Sequence, residues 1–198
     1  DPRAREFGIV GGGEFGVNIG PLLAGAGHLV VVHARGARLE WLEREALRIR
    51  GLDEFEVRVP VSGRPEGLRS ADVLILATKA IDTRATLERF RGAAIGAAFS
   101  IQNGVLKDDL LAAVFGRERV LGALANTSGD LGPDGTVLFT RNVNLLVGEF
   151  EGGAQSGFPV FTLPNDNQIV FEIERFLEAI AKERMIVDDQ HGNPPFVR

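Results

Sequence analysis

Cysteine is missing from all 198 residues. That excludes disulfides, thiolate catalysis and cysteine metal sites, and it fits a reducing compartment. Histidine is scarce as well: His28, His33 and His191 are too few and too scattered for a metal cluster. Positive charge is in the minority, with 22 Lys and Arg against 27 Asp and Glu and a net charge of −5. A chain so balanced is not built to attract nucleic acid or anionic lipid. No apolar run approaches the roughly 20 residues needed to span a bilayer. The first residues, "DPRARE", are charged and carry no signal-peptide core. They start at Asp1 and not at a methionine, which suggests a processed or engineered start. A cytoplasmic location is expected.

What remains is ordinary globular material. Hydrophobic residues make up 44%, and the length suits one compact domain, or one domain with appendages. No internal repeat, low-complexity tract or linker interrupts it.

Strands and helices alternate along the chain. Residues 7–10 read as a short buried strand and 14–26 as a helix, weakened by Gly20 and Pro21. "LVVVHA", 29–34, is an uninterrupted β-branched run, the pattern of a parallel strand covered on both faces. A helix is expected over 37–45. "LRIRGLDEFEVRVPV" alternates about Gly51 and Asp53 and predicts a hairpin. "ADVLILATK", 71–79, is the clearest buried strand. A helix over 83–90, a strand in "AAFSIQNG", a helix over 107–115 and a strand in "RVLGALAN" follow. "GTVLFTRNVNLLVGE" predicts a second hairpin, and 152–168 reads as loop. Asp166 is placed to cap a last helix through Glu183, with Ile169, Ile173, Phe176, Leu177 and Ile180 on its apolar face. The fold class is therefore α/β: a Rossmann-type, doubly wound, mostly parallel sheet with added β-hairpins. One domain is expected over residues 1–187, with 188–198 as a tail.

Glycine, in contrast, is crowded into one place. "FGIVGGGEFG" puts Gly11, Gly12, Gly13 and Gly16 directly after a strand and at the opening of a helix. Glycine is the costliest residue to order, so such a cluster needs a cause. G-x-G-x-x-G in this context is the dinucleotide fingerprint. Gly11 permits the tight turn, a side chain at Gly13 would stand where a pyrophosphate must lie, and Gly16 lets the helix pack closely. The free N–H groups and positive dipole end of that helix then face the phosphates. Residues 11 to 16, Glu14 and Phe15 included, are the candidate phosphate-binding segment.

An NAD site would place an Asp or Glu some 20 residues further on, to accept the ribose hydroxyls. Here the second strand ends "VVVHARGARLE": the acid is missing and Arg35 stands near its place, with Arg38 able to assist. A guanidinium matches a 2′-phosphate, which a carboxylate would repel. NADP(H) is the expected cofactor.

At this point the chain resembles the ketopantoate reductases (2-dehydropantoate 2-reductases). The resemblance rests on ordered blocks: "FGIVGGGEFG", "AGHLVVVHARG", "ADVLILATKAID", "SIQNGV", "RVLGALANTSGDLGPDGTVLFT" and "LLVGE". Together they cover about residues 7 to 150. "TKA" and "QNG", in that order, are its specific parts. The resemblance implies NADPH-dependent reduction of a small 2-keto acid, 2-dehydropantoate to pantoate, on the route to pantothenate. It implies the phosphate and 2′-phosphate roles already given, and it places Lys79 and Asn103 at the strand ends, facing ribose and nicotinamide.

The family also carries a helical second domain, with a general-acid lysine and a substrate-binding glutamate. Where that domain should begin, this chain reads "DDQHGNPPFVR". The helical domain is therefore expected to be missing, the chain to be the nucleotide-binding portion, and the catalytic residue to stay unassigned. Two alternatives remain open: a non-catalytic NADP(H)-binding module or sensor, and a related 3-hydroxyacid or opine-type dehydrogenase. Apolar surface is expected at the carboxyl edge of the sheet or along the final helix, and with it self-association, a homodimer being one form of it.

Overall fold

In a computed structural model of the chain, residues 4–51, 54–149 and 160–162 are described. Strand β1 (Glu6–Val10) leads into helix α1 (Glu14–Gly25), β2 (Leu29–His33) and α2 (Gly36–Arg44). The chain then forms β3 (Leu47–Gly51), β4 (Phe55–Val57) and β5 (Val61–Ser62). After these come β6 (Ser70–Leu76), α3 (Thr83–Glu88), β7 (Ala94–Ser100) and α4 (Lys107–Phe115). Two long strands, β8 (Val120–Leu131) and β9 (Val137–Glu149), and the short β10 (Val160–Thr162) complete the order.

All ten strands join one sheet, ordered β4-β3-β9-β8-β7-β6-β1-β2-β5, with β10 beside β9. The pairs β1·β2, β1·β6, β6·β7, β7·β8 and β2·β5 are parallel. The doubly wound reading therefore holds. From β1 the chain moves to β2 on one side and later returns to β6 on the other. That reversal is the switch point at which open α/β sheets form a ligand crevice.

Side chains alternate across the sheet, as a strand's period of two requires. Phe7, Ile9, Val73, Ile75, Ala97 and Phe99 face one layer, where Ile19 and Leu23 of α1 and Leu42 of α2 cover them. Val10, Leu74, Leu76 and Ala98 face the other, under Leu87, Phe90, Leu111 and Phe115 from α3 and α4 and their ends. Burial on both faces is why these strands read as continuous apolar runs.

Three sequence expectations need correction. The stretch 135–149 is not a hairpin by itself: β9 is one strand of 13 residues, antiparallel to β8. The turn lies earlier, where Gly132 N–H bonds Thr136 O and Gly135 takes φ +76°. The first hairpin, β3·β4, is as expected, but "VPV" leaves it and β5 pairs in parallel with β2. Within the expected loop 152–168, β10 adds to β9. The expected helix 166–183 and tail 188–198 lie outside the described residues.

Helix α1 sits where it does because of two glycines. Gly11 has φ +124°, and a methyl group there would meet Ala77 backbone atoms at 2.7–2.8 Å. A methyl group on Gly16 would run into the Gly11 carbonyl oxygen. Since that obstacle is main chain, Gly16→Ala is expected to lower stability by about 1–3 kcal/mol, the usual cost of overpacking. The shift in urea midpoint measures it, and an unchanged midpoint would contradict this packing.

Candidate functional site

The carboxyl ends of β1, β2, β6 and β7 surround a cleft of about 680 Å³. Gly11, Gly12 and Gly13 form its floor, Ala34, Arg35 and Arg38 one end, and Lys79 and Asn103 the other. Loops that leave the parallel strands make most of its wall, with Arg38 of α2, Thr86 of α3 and Leu131 of β8 beside them. The sequence-identified residues Gly11, Gly12, Gly13, Arg35, Lys79 and Asn103 are thus brought to one place. Gly16 lies behind the cleft, buried against the turn. Glu14 and Phe15 open α1, and their side chains fall outside the described set.

The three floor glycines differ. Gly11 is required by its positive φ. Gly12 rests on α2: an added Cβ would meet Ala34 Cβ at 2.8 Å and Leu42 Cδ1 at 3.0 Å. Gly13 has nothing within 4 Å of an added Cβ, and its backbone (φ −78°, ψ −173°) suits any residue. No feature of the protein itself therefore demands glycine at 13. Gly13 is also the N-cap of α1, and no side chain caps the helix there. Uncapped N–H groups and the positive dipole end of α1 thus open onto the cleft.

At the β2 end, Arg35 precedes α2 and is exposed, while Arg38 lies half-buried along α2. Between them and α3 sits His33, only 2% exposed. Its ring meets Phe90 edge-on at 5.0 Å, and neither ring nitrogen has a hydrogen-bond partner. Burial first, then the positive charges of Arg89 and Arg35, hold its pKa below the ordinary value. The Ser62 backbone pulls weakly the other way, outside hydrogen-bond geometry. Thr86, also on the cleft wall, buries its hydroxyl without a partner.

The far end is organised by the first residue of "QNG", to which the sequence reading gave no role. Gln102 is buried, one position before Asn103. Its amide Nε2 donates to Thr78 O at 2.6 Å and lies 2.9 Å from both the Thr78 and the Thr83 hydroxyl. Its Oε1 accepts from Thr83 at 3.0 Å and from Ser100 at 3.2 Å. The loop that carries Lys79 is thereby tied to the loop that carries Asn103. Behind it, Lys107 Nζ donates to Ser100 O at 2.8 Å and to Ala123 O, bracing β7 against β8. Burial lowers the pKa of Lys107. A cation in the first turn of a helix opposes the dipole, and that conflict was the one sequence signal for this brace.

Ile81 is 92% exposed and Val105 91%, each two residues beyond Lys79 and Asn103 respectively. Of the two places where exposed apolar surface was expected, the carboxyl edge carries these two residues, and the final helix lies outside the described residues.

His33 gives the protein a defined response to acid. Below the ordinary histidine pKa of about 6.5, the unfolded chain takes up a proton that folded His33, with its lowered pKa, refuses. The unfolded state then binds more protons, so stability falls as pH falls through about 6.5, and His33 contributes no slope above about 7. Denaturant midpoints between pH 5 and 7.5 should show this slope reduced in His33→Leu. An identical slope in both proteins would assign the acid response to other groups.

With this geometry in place, the comparisons with known proteins are direct. Residues 7–152 match the family Ketopantoate reductase PanE/ApbA. A 2-dehydropantoate 2-reductase of Archaeoglobus fulgidus is 32% identical over 150 residues, which is 76% of this chain and 49% of that protein. Its counterpart in Pyrococcus abyssi is 28% identical, over 74% of this chain and 48% of that one. The chain thus spans about half the length of these relatives. The crystal structure of a PanE/ApbA family ketopantoate reductase from Ralstonia eutropha superposes with a TM-score of 0.66 at 26% identity, over 72% of this chain and 48% of that one. Among the described residues, no helix is long and apolar enough to cross a membrane. Over the residues that build the sheet and the cleft, the protein belongs to the ketopantoate reductase family.

Proposed function

We propose that the cleft binds NADP(H) and that the protein serves the reduction of a small 2-keto acid, 2-dehydropantoate to pantoate before others. The reading takes this chain as the nucleotide-binding portion of that activity. The observation that carries it is Gly13. A glycine that the fold does not need, at the uncapped mouth of α1 and facing open space, is explained by a ligand that lies against bare main chain. The fit extends along the cleft. Gly11 to Gly13 and the start of α1 would receive the pyrophosphate, and Arg35 the 2′-phosphate. Lys79 and Asn103 would meet the ribose and the nicotinamide.

When bound, the nicotinamide supplies the hydride that turns the keto carbon into an alcohol and leaves NADP⁺. The chain's own residues orient and stabilise. The alkoxide that forms needs an electrostatic partner and a proton. Lys79 is the lysine on the cleft wall, and its ammonium would stabilise that charge or the substrate carboxylate. Gln102 keeps the Lys79 and Asn103 loops at a fixed separation through neutral hydrogen bonds. Such separation matters because small misplacements of positioned groups are costly in rate.

NADPH oxidation in the presence of 2-dehydropantoate, against a panel of other 2-keto acids, tests the reading directly. NADPH binding without turnover on any of them would favour a nucleotide-binding module. Arg35→Ala should weaken NADPH binding by about 1–3 kcal/mol, the scale of a charge-assisted contact, and leave NADH binding nearly unchanged. Equal losses, read by titration calorimetry, would remove the case for NADP.

A second substitution separates ligand from fold. Gly13→Ala should change stability by less than about 1 kcal/mol, since the added methyl meets open space. It should nevertheless weaken NADPH and NADH alike. A variant that binds both normally would take away the observation on which the reading stands.

A further inference from the structure

The two loops at the far end of the cleft have little of their own to hold them. Lys79, Ala80, Ile81 and Asp82 are all exposed, and so are Asn103, Gly104, Val105 and Leu106. A turn without a buried side chain is among the first parts of a structure to open. The Lys79 turn is therefore set from its ends. Thr78 stands immediately before Lys79 and Thr83 immediately after Asp82, and both bond the amide of Gln102. Gln102 closes the turn across its base, and Asn103 follows Gln102 directly in the chain.

The amide fits only one way round. Thr78 O is a carbonyl and only accepts, so the NH2 group must face it, at 2.6 Å. Oε1 then takes the hydroxyls of Thr83 at 3.0 Å and Ser100 at 3.2 Å. Ser100 Oγ in turn accepts the Gln102 main-chain N–H at 3.1 Å. The donor half thus holds the start of the turn, and the acceptor half holds its end and the last residue of β7. A methionine would keep the shape and lose both halves. A glutamate would present an acceptor to Thr78 O unless protonated.

Resting on the reading that the cleft binds NADP(H), we propose that Gln102 is a positioning residue for the nicotinamide half of the cofactor: its donor amide sets Lys79 and Asn103 as one unit, while the adenosine half binds without it. Its amide is engaged by the protein, so it acts through the two loops. The other end has separate supports. Gly11 is bonded by the main chain of β2, and Arg35 is carried by the start of α2. A residue needed only for folding would weaken every ligand of the cleft alike. Gln102 should weaken one half of one ligand.

Gln102→Met and Gln102→Glu are compared with the unmodified protein. Calorimetry measures NADPH and 2′,5′-ADP, which has the adenosine half alone, with thermal melts as the check on folding. Gln102→Met should weaken NADPH about tenfold or more, the scale of a hydrogen-bonding group left unpaired, and leave 2′,5′-ADP within about twofold. Without ligand, amide exchange over residues 78–83 should quicken in this variant and that over 11–16 should not. Gln102→Glu should respond to pH. Burial raises the pKa of the new carboxyl, which donates to Thr78 O when protonated and cannot when charged. Its NADPH affinity relative to 2′,5′-ADP should match that of the unmodified protein at about pH 5.5 and fall about tenfold by about pH 8. The 2′-phosphate is common to both ligands. Lys79 and Asp82 on the turn, and Lys107 and Asp108 at the start of α4, are common to all three proteins, so the ratio removes their titration. Equal losses for NADPH and 2′,5′-ADP would make Gln102 a prop of the fold and overturn the proposal. Undiminished NADPH binding by Gln102→Met, a Gln102→Glu ratio that ignores pH, or unchanged exchange over 78–83 would overturn it too, and the cofactor reading would stand. Failure of the unmodified protein to bind either ligand would end the cofactor reading, and this proposal with it.

Discussion

The contact between Gly16 and the Gly11 carbonyl is the constraint from which the rest of the site follows. Only a helix without a side chain at that point can press against the turn that leaves β1. Once it does, the first N–H groups of α1 stand at the carboxyl edge of the sheet, beside the crossover between β1 and β6. The turn is closed from the other side by main chain as well. Gly11 N–H bonds His33 O at 2.9 Å and Ala77 N–H bonds Val10 O at 2.8 Å, so three strand ends converge on one peptide. Geometry of this kind leaves little freedom to adjust. The turn is held by main chain from both neighbouring strands, and the uncapped N–H groups at the start of α1 face the cleft.

The electrostatics of the cleft follow from what surrounds that turn. The chain as a whole is acidic, with a net charge of −5. Arg35, Arg38 and Lys79 nevertheless line one cleft, with Asp82 as the acidic side chain among the lining residues. Burial lowers the pKa of Arg38, yet a guanidinium stays protonated at any pH at which proteins fold. His33, deeper and between the same charges, stays neutral. The positive field therefore comes from Arg35, Arg38 and Lys79 and not from His33. Local cations on an otherwise acidic protein focus an anionic ligand to one mouth and leave the remaining surface unattractive to polyanions.

Much of this was legible in the sequence, for a specific reason. The glycines, Arg35, Lys79 and Asn103 lie within a few residues of strand ends, and strand ends are recognisable from apolar runs that stop. A parallel sheet collects those ends at one edge, so reading the strands also locates the cleft. The β8–β9 pair was harder. "RNVN" sits inside a run of apolar residues, and its polar alternation resembles a turn, but β9 continues through it by irregular pairing: β9 advances two residues for one of β8 at Asn126/Thr127 and again at Ser128/Gly129. Irregular pairing of this kind breaks the strict alternation of a strand, and in the sequence that break looks like a turn. Gln102, His33 and Lys107 were passed over for a related reason: each acquires its role from partners outside its own element, at sequence separations of up to 24 residues for Gln102. Local pattern cannot encode such partners. Arg38 shows the boundary well. Its charge was visible near Arg35, while its grip on Gly12, whose carbonyl accepts from its Nε at 2.7 Å, depends on how closely α2 approaches the turn.

The two ends of the cleft are built on different principles, and the difference suits their tasks. The end with Arg35 and Arg38 uses full charges, as the phosphates of the proposed ligand, charged in every state of a reaction, would require. The other end is ordered by neutral groups. Gln102, Thr78, Thr83 and Ser100 hold one another through bonds of 2.6–3.2 Å, none of them ionic. An amide and three hydroxyls tie the two loops together, and the Lys107 ammonium braces β7 against β8 behind them. Binding strength and chemical positioning are thereby separated along one cleft, with the glycine turn between them belonging to both.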